Sequence, residues 1–264
     1  MRSILPFAAA ASMLVAACAQ EGMVSPPGNA PSLSITPPGV TAGRPPLQRA
    51  SYNSVNTSRP VVALTFDDGP HPELTPQLLD ILRREGVRAT FFVIGRNVDA
   101  YPEIARRIVA EGHEIANHSY THPPLPSVGA ARLRDEMVRT NESIMRATGR
   151  CPTAMRPPYG AINERVRQSI INDHRLDVVL WSVDPLDWKR PGAGVVADRL
   201  VQGAHPGAIL LAHDIHPGTI EAVPDVIARL KAKGYGFATV SQLFALQEPP
   251  SAATQVARHG TAVR

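Results

Sequence analysis

The sequence predicts an α/β fold, a distorted or incomplete (β/α) barrel with about seven parallel strands. Short runs rich in β-branched and aromatic residues alternate with amphipathic helical stretches between residues 59 and 246, and such alternation is typical of parallel strands joined by crossovers. Polar side chains follow nearly every apolar run, as in a barrel whose strands all end at one mouth. The alternative is an open doubly wound sheet, but no glycine-rich phosphate loop follows the first strand, which argues against dinucleotide binding.

Seven runs are predicted to form the strands: Val61–Phe66, Ala89–Ile94, Glu114–Asn117, Ala154–Arg156, Val178–Val183, Ala208–Ala212 and Gly236–Val240. Apolar residues at helical spacing predict helices between these runs. The pair Thr75-Pro76 has the pattern of a cap and first-turn residue, and Gly86 has that of a helix end. Thr219 is predicted to cap the last long helix, which ends near Gly234.

The first residues have the features of an export signal. Arg2 precedes an apolar run over residues 4–17 that is too short to span a membrane. The run ends in Leu14-Val15-Ala16-Ala17-Cys18, which resembles a bacterial lipobox, so cleavage before Cys18 and acylation of its thiol are expected. The alternative is an ordinary signal peptide with an incidental cysteine. Ala19 after the cysteine is similar to the pattern of Gram-negative lipoproteins, and it predicts the periplasmic side of the outer membrane.

Composition divides the chain into four segments. We expect a lipoprotein signal peptide over residues 1–17, a lipidated cysteine with a flexible proline-rich tether over 18–58, a globular domain over 59–246 and a flexible tail over 247–264. The net charge of +4 is mild and spread along the chain, so no nucleic-acid partner is expected. The membrane is expected to be reached through the lipid anchor alone, and the sequence indicates no oligomeric state.

One carboxylate and two imidazoles form a candidate metal site. Asp68 follows the first predicted strand, and His118 and His122 follow the third. Histidines four apart point the same way if the segment turns helically, although such pairs are often surface or core residues. Together with the carboxylate they make a three-ligand set with an open position, which is typical of a catalytic divalent site. Zinc is the expected ion, with cobalt, manganese and nickel as alternatives.

A candidate general base stands beside this set. Asp67 precedes Asp68, and consecutive residues in extended chain point apart, so Asp67 can face a water on the metal and accept its proton. Arg156, a permanent cation, would keep that carboxylate ionised and oriented. The alternatives are an Asx turn at the two aspartates and a surface salt bridge at the arginine. The stiff turn at Pro157-Pro158-Tyr159-Gly160 offers the Tyr159 N–H as an oxyanion donor.

His213, at the end of a very apolar run, is the candidate general acid. A neighbouring carboxylate, Asp187 or Asp184, would raise its pKa and keep it protonated. Either aspartate can serve as far as spacing goes, and a lone histidine after a strand is often structural. Leu211 and Trp188 can form an apolar slot for a small apolar group of a substrate, although both are also ordinary core residues.

Five segments in this order resemble the motifs of the polysaccharide deacetylases of carbohydrate esterase family four, the NodB-homology domain. The resemblance covers about residues 59–246. The segments are Thr65-Phe66-Asp67-Asp68-Gly69-Pro70, His118-Ser119-Tyr120-Thr121-His122, Arg156-Pro157-Pro158-Tyr159-Gly160, Asp184-Pro185-Leu186-Asp187-Trp188 and Leu211-Ala212-His213.

The resemblance implies a distorted barrel and a divalent ion held by Asp68, His118 and His122. It also implies Asp67 as base with Arg156 supporting it, and His213 as acid with Asp187 supporting it. Pro158, Tyr159, Trp188 and Leu211 are expected to bind substrate. The implied reaction is removal of N-acetyl groups from N-acetylglucosamine-containing polysaccharide, peptidoglycan first, with chitin-type oligomers or poly-N-acetylglucosamine as further candidates. Alternatives are an O-acetyl esterase acting on a xylan-type glycan and a non-catalytic glycan-binding lipoprotein.

Overall fold

The structure, a computed structural model, describes residues 51–249, in which eight strands alternate with eight α-helices. The strands are β1 (Ser51–Tyr52), β2 (Val61–Asp67), β3 (Thr90–Val93), β4 (Glu114–Asn117), β5 (Ala154–Met155), β6 (Asp177–Val179), β7 (Ile209–His213) and β8 (Gly236–Ala238). The helices are α1 (Leu74–Glu85), α2 (Gly95–Ala100), α3 (Pro102–Ala110), α4 (Ala130–Thr148), α5 (Glu164–Gln168), α6 (Ala193–Gly203), α7 (Pro217–Ala232) and α8 (Val240–Phe244). The predicted signal peptide, Cys18 and residues 250–264 lie outside the described residues.

The strands form one parallel sheet in the order β1-β6-β5-β4-β3-β2-β7, with β8 beside β2. All seven predicted strands are present, and the predicted distorted (β/α) barrel is confirmed. The chain after β6 comes back to β7, where Val183 and Leu210 form an isolated parallel bridge. The Leu211 N–H donates to the Val183 carbonyl at 2.9 Å. The two sides of the curled sheet therefore meet through irregular pairing instead of a regular ladder.

Strand β2 shows how alternation along a strand separates the core from the site. Val62, Leu64 and Phe66 pack into the large cluster that includes leucines of α1, whereas Ala63 belongs to a second cluster with Phe92 and Ile209 of the neighbouring strands. Because side chains alternate across a strand, Thr65 and Asp67 lie on the same face as Ala63. The strand therefore carries a carboxylate inward at its carboxyl end, where parallel barrels place their active sites.

The folded domain begins before residue 59, where the sequence analysis ended the tether. Ser51 and Tyr52 pair with β6, and the Tyr52 ring lies 4.1 Å from that of Phe244 between centroids. At the other end, the Glu248 carboxylate accepts hydrogen bonds from Ser58 N–H at 3.0 Å and Ser58 Oγ at 2.8 Å. These contacts use backbone groups and single side chains. They leave no hydrophobic periodicity in the sequence, so the pattern did not predict that these residues pack on the domain.

Two predicted strands end early because their last residues have other partners. After Val179 the chain leaves the ladder, since the Arg156 guanidinium binds the carbonyls of Val179 and Leu180. Strand β8 stops at Ala238 because Thr239 caps α8, with its hydroxyl accepting from the Gln242 N–H.

Both threonines predicted as helix caps lie inside the first turn instead. Helix α1 begins at Leu74 and α7 at Pro217, so Thr75 and Thr219 are in the helices. Their hydroxyls donate to buried carboxylates, Thr75 to Asp214 and Thr219 to Asp187. Gly86 does end α1, with a φ of 64° that suits glycine. No helix within residues 51–249 combines the length and apolar character needed to cross a membrane.

Candidate active site

The polar side chains that follow the strands meet in one cleft at the carboxyl ends of the sheet. The cleft has a volume of about 420 Å³ and is lined by Asp67, Asp68, His118, His122, Tyr159, Trp181, Asp184, Trp188, Leu211 and His213. Strands β2 and β7 and the loops after β2, β4, β5 and β6 supply these residues. Residues separated by up to 146 positions in the sequence therefore share one cavity, as the barrel prediction required.

Asp68, His118 and His122 bring three ligand atoms together. Asp68 Oδ1 lies 3.2 Å from His122 Nε2 and 3.4 Å from His118 Nε2, and the two Nε2 atoms are 3.2 Å apart. A point equidistant from the three atoms lies about 1.9 Å from each, close to the ~2.0–2.1 Å of a Zn–N bond. Asp68 Oδ1 is buried and makes no hydrogen bond with the described residues. These donors fit one divalent ion with an open coordination position.

Hydrogen bonds to the far side of each imidazole orient the two histidines. His118 Nδ1 lies 2.6 Å from the carbonyl oxygen of Arg156. A carbonyl only accepts, so Nδ1 carries the proton and the neutral ring presents the Nε2 lone pair to the ion. His122 Nδ1 lies 3.2 Å from the Tyr159 hydroxyl, and the two rings meet edge to face with centroids 4.6 Å apart.

The loops that carry the ligands hold an uncommon backbone conformation. Asp68 has a φ of 77°, and Ser119 and His122 each have a φ of 63°. Non-glycine residues rarely adopt positive φ unless their surroundings impose it, and such residues cluster at functional sites. The chain between the histidines therefore does not turn helically, and their shared direction comes from a tight loop that other residues hold in place.

The opposite charges of Asp67 and Arg156 are paired in the barrel interior. Asp67 is 3% exposed and Arg156 0% exposed, and Arg156 Nη1 donates to Asp67 Oδ1 at 2.7 Å. The same nitrogen donates to Thr65 Oγ1 at 2.8 Å, while Nε and Nη2 donate to the Val179 and Leu180 carbonyls. A buried guanidinium with this many acceptors is a fixed cation. It orients the Asp67 carboxylate and leaves Oδ2 turned toward the metal-ligand set, 3.8 Å from His118 Nε2.

His213 pairs with Asp187 and not with Asp184. The distance from His213 Nδ1 to Asp187 Oδ1 is 2.7 Å, and Asp187 Oδ2 accepts from the His213 N–H at 2.8 Å and from the Thr219 hydroxyl at 2.7 Å. Asp184 lines the cleft but uses its Oδ1 to accept the Leu186 N–H at 2.8 Å. Spacing had left the choice open, and the geometry places Asp187 behind the histidine.

The environment of His213 favours the protonated ring. Burial opposes the charge, but the hydrogen bond and negative charge of Asp187, with smaller contributions from Asp67 and Asp68, raise the pKa of His213 to about 9. The pKa of Asp187 is lowered, since the His213 contacts outweigh the effect of its burial. The imidazolium is therefore the main form at neutral pH.

The residues predicted to bind substrate divide into two groups. Trp188 and Tyr159 line the cleft and are 50% and 67% exposed, so their rings are available to a ligand. Leu211 lines the floor and is buried. Pro158 is buried and does not face the cleft, so its contribution is to stiffen the turn in which Tyr159 adopts a φ of 61°.

Sequence reasoning missed Trp181. Its indole lines the cleft, lies 5.7 Å from the Arg156 guanidinium and packs so closely on Gly160 that a Cβ there would meet the ring at 2.9 Å. The residue was hidden within the run predicted as the strand Val178–Val183. An aromatic residue just past the end of β6 was the available signal.

Asp214 also follows β7, but it belongs to no motif and the sequence predicted no role for it. It is fully buried, accepts the Thr75 hydroxyl and packs on Gly69, where a Cβ would meet its carboxylate at 2.3 Å. Burial raises the pKa of Asp214 to about 7, against the opposing effect of the Thr75 hydrogen bond. This side chain packs beneath the turn that follows Asp68.

Comparisons with known proteins agree with this geometry. Residues 54–179 match the family model described as polysaccharide deacetylase. The peptidoglycan-N-acetylglucosamine deacetylase PgdA of Listeria monocytogenes is 42% identical over 183 residues, which are 69% of this chain and 38% of that protein. The chitooligosaccharide deacetylase of Bradyrhizobium sp. is 40% identical in an alignment of 213 positions that covers 74% of this chain and 95% of that protein.

Among solved structures, the peptidoglycan deacetylase PdaC of Bacillus subtilis superposes with a TM-score of 0.68 at 38% identity. The match covers 79% of this chain and all of that chain. The chain thus spans less than half of the Listeria protein but almost the whole length of the Bradyrhizobium one. On its sequence, its fold and the residues gathered in its cleft, the chain belongs to the polysaccharide deacetylase family.

Proposed function

We propose that this domain is a metal-dependent hydrolase that removes N-acetyl groups from N-acetylglucosamine-containing polysaccharide. One observation carries the proposal: a three-ligand set shares one cleft with a buried carboxylate–guanidinium pair and a carboxylate–imidazolium pair. Amide hydrolysis needs a base for water and an acid for the leaving nitrogen. The cleft provides candidates for both together with a place for a cation.

Asp68, His118 and His122 would hold the ion, and zinc is the first choice because two imidazoles and one carboxylate suit it. When bound, a divalent ion supplies a Lewis acid that polarises the amide carbonyl and makes a nearby water more acidic.

Each remaining residue has a separate task. Asp67, oriented by Arg156, accepts a proton from the attacking water. His213, protonated at neutral pH, donates its proton to the departing nitrogen. The Tyr159 N–H donates to the developing oxyanion from its fixed turn. Leu211 and Trp188 provide apolar surface for the acetyl methyl group.

Peptidoglycan is the substrate we favour, because two of the relatives described above are peptidoglycan deacetylases by name. Chitin-type oligomers are the second choice, from the rhizobial relative. The exposed rings of Tyr159 and Trp188 suit a sugar polymer, since aromatic faces offer amphipathic contact at the mouth of the cleft.

Acetate release tests the proposal. Purified protein loaded with zinc is expected to release acetate from peptidoglycan fragments or from N-acetylglucosamine oligomers, to lose that activity with a chelator and to regain it when zinc, cobalt or manganese is returned. Mass spectrometry of the products identifies the deacetylated sugar. Release from acetylated xylan alone would favour the O-acetyl esterase. Glycan binding without acetate release at any metal loading would overturn the proposal and favour a binding protein.

We further propose that the chain is exported and lipid-anchored at Cys18, on the periplasmic side of the outer membrane. The support is the segment that resembles a lipobox. Acyl chains bury CH₂ groups at ~0.8 kcal/mol each, so several chains hold a protein firmly. A clickable palmitate analogue is expected to label the full chain in a Gram-negative host and to leave a Cys18→Ala variant unlabelled. Equal labelling of both would refute the anchor.

A further inference from the structure

Glu136 is a buried carboxylate that belongs to none of the five motifs and does not line the cleft. It lies on α4 and is 2% exposed. Its Oε2 accepts from the N–H groups of Tyr120 at 2.8 Å and Thr121 at 2.7 Å, and its Oε1 accepts from the Thr121 hydroxyl at 2.5 Å. All three hydrogen bonds go to the loop that joins His118 to His122.

That loop is bound on its other side by α2. The carbonyls of Ser119 and Tyr120 accept from the N–H groups of Gly95 at 3.0 Å and Arg96 at 3.2 Å. A Cβ on Gly95 would meet the Tyr120 ring at 2.5 Å, so the loop and the helix are in close contact. The loop is therefore held between the start of α2 and the side chain of Glu136.

The remaining N–H groups of the loop have local partners. Ser119 N–H donates to Asn117 Oδ1 at 2.7 Å, and His122 N–H donates to Ser119 Oγ at 3.0 Å. The two central N–H groups depend on Glu136. Without it, two backbone donors in a part-buried loop would lack their protein acceptor, which destabilises the loop wherever water cannot replace the carboxylate.

The loop needs this support because its backbone is strained. Ser119 and His122 both have a positive φ of 63°, which costs energy in residues with a Cβ. Relaxation of either residue would turn the His122 ring away from His118. Among residues 51–249, the cation that pairs with Glu136 is Arg132, 3.6 Å away with a side chain that is 60% exposed, so the loop is the main partner of the buried carboxylate.

We propose that Glu136 is a positioning residue for the metal site, which keeps the two histidines at ligand distance by fixing the loop between them. The inference deepens the proposed function and rests on its metal site. It predicts that loss of Glu136 weakens metal binding before it affects the chemistry, because the side chain touches neither the ligand atoms nor the cleft.

Zinc affinity of the full domain, measured by competition with a chromogenic chelator, tests this. Glu136→Ala is expected to raise the zinc Kd by about 10–100-fold, the usual cost of losing a group that orients metal ligands. At saturating zinc, kcat is expected to return to within about threefold of wild type. Asp135→Ala is the matched control, since Asp135 precedes Glu136 on α4 with a side chain 56% exposed toward Arg139.

Two further variants separate positioning from folding. Glu136→Gln keeps an oxygen for both N–H groups and an NH₂ for Thr121 Oγ1, so it is expected to restore most of the affinity. Thr121→Val removes only the hydroxyl contact to Glu136, so a small loss of zinc affinity is expected. This variant tests the inference even if Glu136→Ala does not fold. A zinc Kd within twofold of wild type for Glu136→Ala, or for Thr121→Val if that protein is unfolded, would overturn the inference. Failure of the wild-type protein to bind zinc would instead overturn the proposed function.

Discussion

Replacement of Asp67 by asparagine is expected to lower kcat by about 10²–10⁴-fold, the usual contribution of a general base. The amide keeps an oxygen for the Arg156 hydrogen bond but cannot take a proton from water. Since Asp67 Oδ1 is committed to Arg156 at 2.7 Å and the metal ligands lie on other residues, zinc affinity is expected to change little. Acetate release and zinc binding, measured on the same preparation, check both parts.

The adjacent residue provides the matched comparison. Asp68→Asn removes the anionic ligand, so this variant is expected to lose zinc affinity and to recover part of its rate when zinc is raised. Asp67→Asn is expected not to respond to added zinc. If the two variants behave alike, or if Asp67→Asn keeps wild-type turnover with zinc bound, the division of tasks between the two aspartates is wrong. Melting temperatures of both variants are the control for stability, because the buried Arg156 cation loses its counter-charge in Asp67→Asn.

Replacement of His213 by alanine is expected to abolish most amide hydrolysis, again by about 10²–10⁴-fold, because the amine is a poor leaving group unless it is protonated. An alcohol leaves with less assistance, so the same variant is expected to keep far more of its activity on an acetyl ester. Parallel rates on an N-acetyl oligomer and on a 4-nitrophenyl or sugar acetate measure the difference. Equal losses on amide and ester would contradict the role of His213 as acid to the leaving nitrogen.

The pH profile provides an independent check on the same residue. The reactive form of His213 is protonated, and its pKa is raised to about 9, so kcat/KM is expected to fall as the pH rises through that region. A cation bound at Asp68 would offset the negative charges of Asp67 and Asp68, which contribute to the raised pKa of His213. The alkaline fall in kcat/KM, the alkaline limb of the profile, is therefore expected at or somewhat below pH 9. Asp187→Asn removes the main group that favours the charged ring while burial still opposes it, so the limb is expected to move to lower pH. If the limb does not move in Asp187→Asn, the fall in rate arises from the titration of a group other than His213.

Much of the site could be predicted because the chemistry lies at strand ends, where the sequence carries a clear signal. In β2 an apolar run stops at a pair of aspartates, and in β7 it stops at a histidine. Parallel strands bring such ends together whatever their distance in the sequence. The sequence therefore predicts that Asp68, His118 and His122 lie together.

Other supporting residues could not be predicted, because their partners are distant in the sequence. Glu136 lies on the buried face of α4, three residues after Leu133 and next to Met137. Nothing in that spacing identifies its partner, which is a loop 15 and 16 positions earlier. Thr75 and Thr219 match the pattern of helix caps, but their hydroxyls bind Asp214 and Asp187. Local sequence patterns report the conformational preference of a residue within its own helix or strand. The partners of these three side chains are set by tertiary contacts, which such patterns do not report.

The described residues begin and end on the side of the domain away from the cleft. The segment before β2 meets Glu248, whose N–H donates to the Asn56 carbonyl at 2.8 Å. This contact lies by the amino end of β2, whereas the candidate site residues lie at the carboxyl ends of the strands. The segments at which the described domain begins and ends therefore do not border the cleft, and neither competes with a substrate for its mouth.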